Sequence, residues 1–305
     1  MRIFFQLSRK SERKMEHSRR IVNESQTYRS TKRQYILLAF IVCLAVLPLI
    51  LLGLYYAFAD DTCECGKVLI SGTEQKENRD AEVKISYNGQ WPWTAQLFKT
   101  PQNFTCDATI ITNRHLLTAA HCVEDEKNVE KYFALVGQRV WTKKQISKIY
   151  VHINLAVLKL SEPLEFNDFI QPICLPDLKT FSIEKIQMAT MASYDNYESL
   201  IKSLDVITTV SSDCGKDIIC AFNNVTNSCL THSGSGLFVK NEKTQQQSII
   251  GIAAKSPAFI KCRPSDVLAF FQLSPYKPWI YEKILECDKD EKDCQKPCNI
   301  ENLKL

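Results

Sequence analysis

The sequence predicts an all-β domain of the sandwich or barrel type, with one C-terminal helix and one membrane-spanning segment ahead of it. Residues 35–59 contain no charged side chain. Helical periodicity in the outer part of the chain appears only after Pro278, at residues 279–285. Short β-rich runs separated by turns occupy the region between. These runs are residues 93–98, 108–111, 132–136, 145–151, 155–160, 186–191, 204–210, 236–239 and 248–253.

Composition excludes several classes of protein. The chain has 305 residues, 45% hydrophobic and 24% charged, which excludes a disordered, collagenous or wholly membrane-embedded protein. Cysteine is abundant at 13 residues, whereas glycine is scarce at 9, about 3% against a usual ~7%. By itself, the shortage of glycine argues against a fold that needs many positive-φ turns.

The 25 residues of segment 35–59 are long enough to span the ~30 Å hydrocarbon core of a bilayer. Residues 1–34 carry ten Lys or Arg residues and three acids, a net charge of +7. The rest of the chain has 28 basic and 31 acidic residues, a net charge of −3. A basic head beside an apolar segment is most simply a cytosolic topology signal, so we predict no nucleic-acid partner. The predicted location is the plasma membrane or secretory pathway, as a type II single-pass protein with the C-terminal domain outside.

A cleaved signal peptide is the alternative, because Ala57-Phe58-Ala59 has the small-x-small form of a cleavage site. Cleaved signals have short heads and apolar runs of only ~7–15 residues, which favours the uncleaved anchor. The predicted organisation is therefore a cytosolic tail (1–34), an anchor (35–59), a polar linker (60–90), the folded domain (91–286) and a cysteine-containing tail (287–305).

Cysteine usage agrees with an oxidising compartment. Cys43 lies in the apolar segment, and the other twelve cysteines follow it, as in a disulfide framework. We therefore expect bridging cysteines and neither a metal nor a cofactor. Asn103 and Asn224 begin glycosylation sequons that suit the same compartment.

Six motifs in one order resemble the trypsin-like serine peptidases over residues 65–286. The most specific is Leu-Thr-Ala-Ala-His-Cys at 117–122, with Cys106 at the family's spacing, 16 residues before Cys122. The others are Trp-Pro-Trp (91–93), Asn-Leu-Ala-Val-Leu-Lys-Leu (154–160), Gln-Pro-Ile-Cys-Leu-Pro (171–176), the nucleophile loop (229–236) and the terminal helix with Tyr276. The resemblance implies two six-stranded antiparallel barrels with a C-terminal helix.

The resemblance assigns a degenerate catalytic triad. His121 is the general base and Ser233 the nucleophile, but Asn154 stands where the family has the carboxylate that orients the histidine. The oxyanion hole would use the N–H groups of Thr231 and Ser233, and Thr231 replaces a glycine.

The activation switch and the substrate pocket also depart from the family. His232 replaces the aspartate that pairs with the new N-terminal amine after cleavage, and Arg79 is not followed by the usual apolar N-terminus. Asp80 is a candidate partner for His232, although two unrelated exposed residues are the simpler interpretation. In the pocket, Asn227 replaces the acid that binds Arg or Lys.

The substrate ledge, Ser-Trp-Gly in the family, is Ala254-Lys255-Ser256 in this chain. In this ledge, at Thr231 and at Asp107-Ala108, the chain has other residues where the family has glycine. Part of the glycine shortage therefore falls at the catalytic site.

By resemblance, the disulfides are Cys106–Cys122, Cys65–Cys174, Cys214–Cys220 and Cys229–Cys262. Cys63, Cys287, Cys294 and Cys298 have no family template and allow three connectivities. A zinc site in the tail is the alternative for these cysteines, weakly supported by the spacing of Cys294 and Cys298.

Two functions compete. In the first, the domain has lost catalysis and binds an extracellular protein or peptide that the sequence does not identify. In the second, it is an active or weakly active serine endopeptidase that uses His121 and Ser233. A third interpretation leaves these two residues as packing side chains without a function in the cleft. The several departures from the family favour the first.

Overall fold

The computed structural model describes Arg20 and residues 32–50, 65–72, 75–76, 83–100, 103–124, 127–138, 140–176, 188–194, 200–210, 214–222, 232–254 and 267–286. The chain divides into two compact units, Met1–Thr62 and Cys63–Leu305. In the first unit, helix α1 (Lys32–Ile50) has 19 residues and is long and apolar enough to cross a membrane. It begins three residues before the predicted segment, and residues 51–59 of that segment lie outside the described part.

The second unit is built from strands, as the sequence predicts. They are β1 (Gln75–Lys76), β2 (Lys84–Ile85), β3 (Thr94–Lys99), β4 (Phe104–Ile110), β5 (His115–Ala119), β6 (Tyr132–Val136), β7 (Thr142–His152), β8 (Leu155–Leu160), β9 (Met188–Tyr194), β10 (Ile201–Thr209), β11 (Ile218–Phe222), β12 (Gly236–Lys240), β13 (Gln247–Ala253) and β14 (Leu268–Gln272). Helix α2 (Lys277–Leu285) follows them.

Two closed antiparallel barrels of six strands result. The first has the order β3-β4-β5-β8-β7-β6, and β3 closes it by pairing with β6. In the second, β9-β10-β11-β14-β13-β12, strand β9 pairs with both β10 and β12 and closes the circle. The short hairpin β1–β2 adds to the outer edge of β10. Barrel closure removes the free sheet edges that an open sheet would expose.

The core joins the two barrels through large aromatic side chains. Trp93 is fully buried, and its ring lies 5.8 Å from that of Phe238 in β12. Trp91 stacks on the same Phe238 ring at 5.5 Å. In β8 all six residues are buried, which explains why Leu155–Leu160 is apolar at every position but Lys159 and does not alternate.

Helix α2 begins two residues before the predicted start at residue 279, with Pro278 in its first turn, where the missing N–H costs little. Its buried face includes Ile280 and Ile284. Part of the predicted linker packs on the barrels, because Cys65 is bonded to Cys174 and the Gly66 N–H donates to the Pro172 carbonyl at 2.8 Å. The expected bridges Cys106–Cys122 and Cys214–Cys220 are also present.

Candidate functional site

His121 lies directly after β5, in a 3-10 turn that spans Ala120–Val123. It is half-buried, and one of its ring nitrogens lies within 4.8 Å of the sulfurs of Cys106 and Cys122. Because these sulfurs are bonded to each other, they are not free to bind a metal ion. The disulfide instead attaches the histidine turn to β4.

Asn154 occupies the two-residue turn between β7 and β8, where His152 pairs with Leu155. Its carbonyl accepts the N–H of Ala120 at 3.0 Å, so this turn lies against the segment that carries His121. Its side-chain amide donates to the hydroxyl of Tyr276 at 3.0 Å. The position assigned to the orienting carboxylate is therefore occupied by a neutral amide whose N–H contacts a phenol.

Ser233 lies at the corner of a tight turn formed by residues 232–235. The carbonyl of His232 accepts the N–H of Ser235 at 3.1 Å, and the hydroxyl oxygen of Ser235 lies 2.7 Å from the same carbonyl. Gly234, the third residue, has φ +85°, as a type II turn requires. Ser233 is the second residue of the turn and is half-buried.

The turn packs closely against β4 of the first barrel. The N–H of Asp107 donates to the carbonyl of Ser233 at 3.0 Å. A Cβ at position 234 would overlap the carbonyl of Asp107 and the hydroxyl of Thr118, and Thr118 itself donates to that carbonyl at 2.7 Å. Glycine is therefore retained at 234 for both its φ angle and the close approach.

The carboxylate of Asp107 is buried between the two barrels. Its Oδ2 accepts the hydroxyls of Ser193 in β9 at 2.7 Å and of Ser235 at 2.8 Å, and it lies 3.8 Å from Nδ1 of His232. Burial raises the pKa of the neighbouring Tyr194 above its usual range, and the charge of Asp107 adds to the shift.

From the sequence alone, Asp107 is recognisable only as a replacement of a family glycine. The available signal was an acidic residue within strand β4, since buried acids require partners. Which partners it has depends on how the two barrels meet.

The other predicted residues are distributed as follows. Ala254 is half-buried at the end of β13, and its N–H donates to the Ala269 carbonyl at 2.9 Å. Asn103 is exposed between β3 and β4. Outside the described residues lie Thr231, Asn227, Lys255, Ser256, Asn224, Cys229, Cys262, Arg79, Asp80, Cys63 and the tail cysteines.

Comparison with known proteins gives consistent matches. The Trypsin family model matches residues 82–280, more than half of the chain. The clotting factor G beta subunit of Tachypleus tridentatus is 26% identical over an alignment 234 residues long, which covers 63% of this chain and 75% of that protein. Transmembrane protease serine 11B of Homo sapiens is 30% identical over an alignment 114 residues long, which covers 33% of this chain and only 27% of that protein.

Proposed function

The chain belongs to the trypsin family, and from that premise we propose that it is a membrane-anchored member that binds an extracellular protein or peptide without cleaving it. The observation that carries the proposal is the side chain of Asn154, whose amide donates to Tyr276 next to the His121 segment. No formal negative charge is available at this position to hold the histidine.

The cost of that replacement follows from the chemistry of the family. A serine hydroxyl reacts only when an imidazole accepts its proton, and the resulting imidazolium is stabilised by a carboxylate. Asparagine at the carboxylate position favours the wrong imidazole tautomer and lowers kcat about 10⁴-fold. This corresponds to about 5.5 kcal/mol of activation free energy.

Further departures act in the same direction. Thr231 replaces a glycine in the oxyanion hole, and Asn227 replaces the acid that would bind a basic side chain of a substrate. The chain nevertheless keeps the two six-stranded barrels of the family, and Ser233 lies on the turn 232–235. A trypsin-like domain that lacks efficient chemistry suits a binding or regulatory module.

A weakly active endopeptidase is the second candidate function. Retention of both His121 and Ser233 favours it, with Ser233 at the corner of a glycine-containing turn. Its residual rate would depend on the oxyanion-hole donors and on substrate binding.

Topology is part of the proposal. We place residues 1–34 in the cytosol and the barrels outside the cell or in the secretory lumen, because the basic residues cluster before the uncharged part of α1. The disulfides and the relationship to a transmembrane protease support this orientation.

Labelling with a fluorophosphonate tests the loss of catalysis. The full chain in detergent micelles is expected to remain essentially unlabelled, whereas Asn154→Asp restores the carboxylate and increases labelling. Asn167→Asp, the same change on an exposed turn, serves as the matched control and leaves labelling unchanged. Stoichiometric labelling of the wild-type chain that disappears in Ser233→Ala would overturn the proposal in favour of the endopeptidase.

Partner binding needs a separate test. A photo-crosslinking residue at position 233, in the full chain on intact cells, is expected to give an adduct of discrete mass. The same residue at position 242, on the exposed turn between β12 and β13, is the control. Failure to obtain a discrete adduct from position 233 contradicts binding in the cleft.

A further inference from the structure

The Asp107 carboxylate is the centre of a polar cluster that links three parts of the fold. We define the Asp107 cluster as Asp107, Ser193, His232 and Ser235. Asp107 comes from β4 of the first barrel, Ser193 from β9 of the second, and the other two from the turn that carries Ser233. The side chain of Asp107 is only 4% exposed. A charge buried this deeply requires hydrogen-bonding partners, and these partners determine the local geometry.

The cluster contacts the turn on both sides of Ser233. Ahead of Ser233, the backbone N–H of His232 donates to the hydroxyl of Ser193 at 3.2 Å, and that hydroxyl donates to Asp107. After Ser233, the hydroxyl of Ser235 contacts both the Asp107 carboxylate and the His232 carbonyl. Ser233 itself accepts the backbone N–H of Asp107. Three of the four turn residues are thus hydrogen-bonded to Asp107, either directly or through Ser193.

His232 places an ionisable ring beside this carboxylate. Its side chain is 22% exposed, and Nδ1 lies 3.8 Å from Oδ2 of Asp107. The ring packs edge-on against Phe104, with centroids 5.2 Å apart, and Nδ1 is 3.3 Å from the hydroxyl of Ser193. Asp107 and His232, the acid and the base of this pair, are both internal residues of the folded domain. The pair therefore does not use the amine of a chain terminus.

We propose that Asp107 is a positioning residue that holds residues 232–235 in the turn conformation in the uncleaved chain. The family uses a new N-terminal amine and an aspartate for this purpose, whereas here an internal carboxylate acts on a histidine and two serines. Cleavage after Arg79 is then unnecessary for the turn to form. This inference does not rest on the loss of catalysis, because it concerns the conformation of the turn and not the reactivity of Ser233.

Amide hydrogen exchange on the full chain in micelles tests the role of Asp107. The reporters are the N–H groups of Gly234 and Ser235, bonded to Ala253 and His232 at 3.1 Å each. Asp107→Asn is nearly isosteric and is expected to accelerate their exchange about tenfold, because bonds to an ionised acceptor are stronger than bonds to a neutral one. The amide of Leu117, within the β5–β8 pairing, reports global stability and should change less.

Asp205→Asn is the matched control. Asp205 also accepts a hydroxyl from a neighbouring strand, that of Thr190 at 2.6 Å, but it lies outside the cluster. This variant should leave the exchange of Gly234 and Ser235 unchanged. Equal acceleration at Leu117 and at the turn in Asp107→Asn, or no acceleration at the turn, would overturn the proposal.

Two further measurements separate positioning from simple packing. The ring-nitrogen resonances of His232 should shift in Asp107→Asn, because this change removes the charged partner of the ring. They should not shift in Asp205→Asn, which leaves that partner in place. Second, the wild-type chain cut after Arg79 with limited trypsin should show the same turn exchange as the uncut Arg79→Ala variant. A large change in turn protection on cleavage would mean that the N-terminus positions the turn, and would overturn the inference.

Discussion

Replacing Gly234 with alanine is expected to destabilise the second unit, Cys63–Leu305, through two separable effects. Gly234 has φ +85°, and an L-residue in the left-handed region costs about 1–2 kcal/mol. The added methyl group also overlaps the backbone carbonyl of Asp107, so either β4 or the turn must move, which costs about 1–3 kcal/mol. The expected loss in free energy of unfolding is therefore about 2–5 kcal/mol.

Gly215→Ala isolates the first effect. Gly215 has φ +96°, yet a Cβ there would meet only Ile218 Cγ1 at 3.7 Å, an ordinary contact. In this variant the free energy of unfolding should fall only by the ~1–2 kcal/mol that the left-handed φ costs an L-residue. The difference between the two variants, about 1–3 kcal/mol, is the cost of the close approach between the turn and β4.

Thermal unfolding of the full chain, followed by circular dichroism, measures both variants. A unit of this size loses roughly 2–4 °C in Tm per kcal/mol, so Gly234→Ala should melt about 2–12 °C below Gly215→Ala. If both variants melt at the same temperature, the close packing of the turn on β4 is refuted.

Three other predictions concern bonds on the surface and in the first barrel. Substituting Cys106 and Cys122 with alanine should cost about 3 kcal/mol in urea unfolding, because the bridge closes an interval of 16 residues in the unfolded chain. Asn103→Gln should remove one glycan, seen as a faster-migrating band that glycosidase no longer shifts, if the exposed turn faces the secretory lumen. The ammonium of Lys148, bonded to Glu286 at 2.9 Å, holds the pKa of that carboxyl below 4.5. Glu286→Gln should therefore cost about 0.5 kcal/mol or less at pH 7, because the pair is exposed. This difference should disappear as the pH falls below 4.5 and the carboxyl protonates.

Each of these three has a contradicting result. A cysteine variant as stable as the wild type would show that the bridge does not restrict the unfolded chain. An unchanged band for Asn103→Gln, with a glycan elsewhere, would show that this site is not used. A stability difference for Glu286→Gln that grows as the pH falls would reverse the sign of the linkage.

The architecture was predictable because it depends on local patterns. Strands such as Tyr132–Val136 and Leu155–Leu160 agree with the predicted runs to the residue. The alternation of apolar and polar residues was compatible with a sandwich or a barrel. The order of the family motifs then indicated two barrels. Strands His115–Ala119, Ile218–Phe222 and Leu268–Gln272 were not predicted, since consecutive apolar residues in them hide the alternation that marks a strand.

The site was predictable only in part. Motif spacing assigned roles to His121, Asn154 and Ser233, and these roles stay predictions. The three residues lie in a 3-10 turn, in the turn between β7 and β8 and in the turn 232–235. The contact between Asn154 and Tyr276 joins residues 122 positions apart, and no local pattern encodes it. Likewise, Asp107 looked like a lost glycine because its partners come from the other barrel and from the turn, and only the assembled fold brings them together.

The position of that carboxylate also bears on how the domain unfolds. If the second barrel opened while the first stayed folded, Asp107 would remain partly enclosed by protein but would lose both hydroxyl donors, Ser193 in β9 and Ser235 directly before β12. Stranding a buried charge in this way costs about 3–5 kcal/mol. Half-folded species are raised in energy by that amount, so the two barrels should melt in a single cooperative transition and not one after the other.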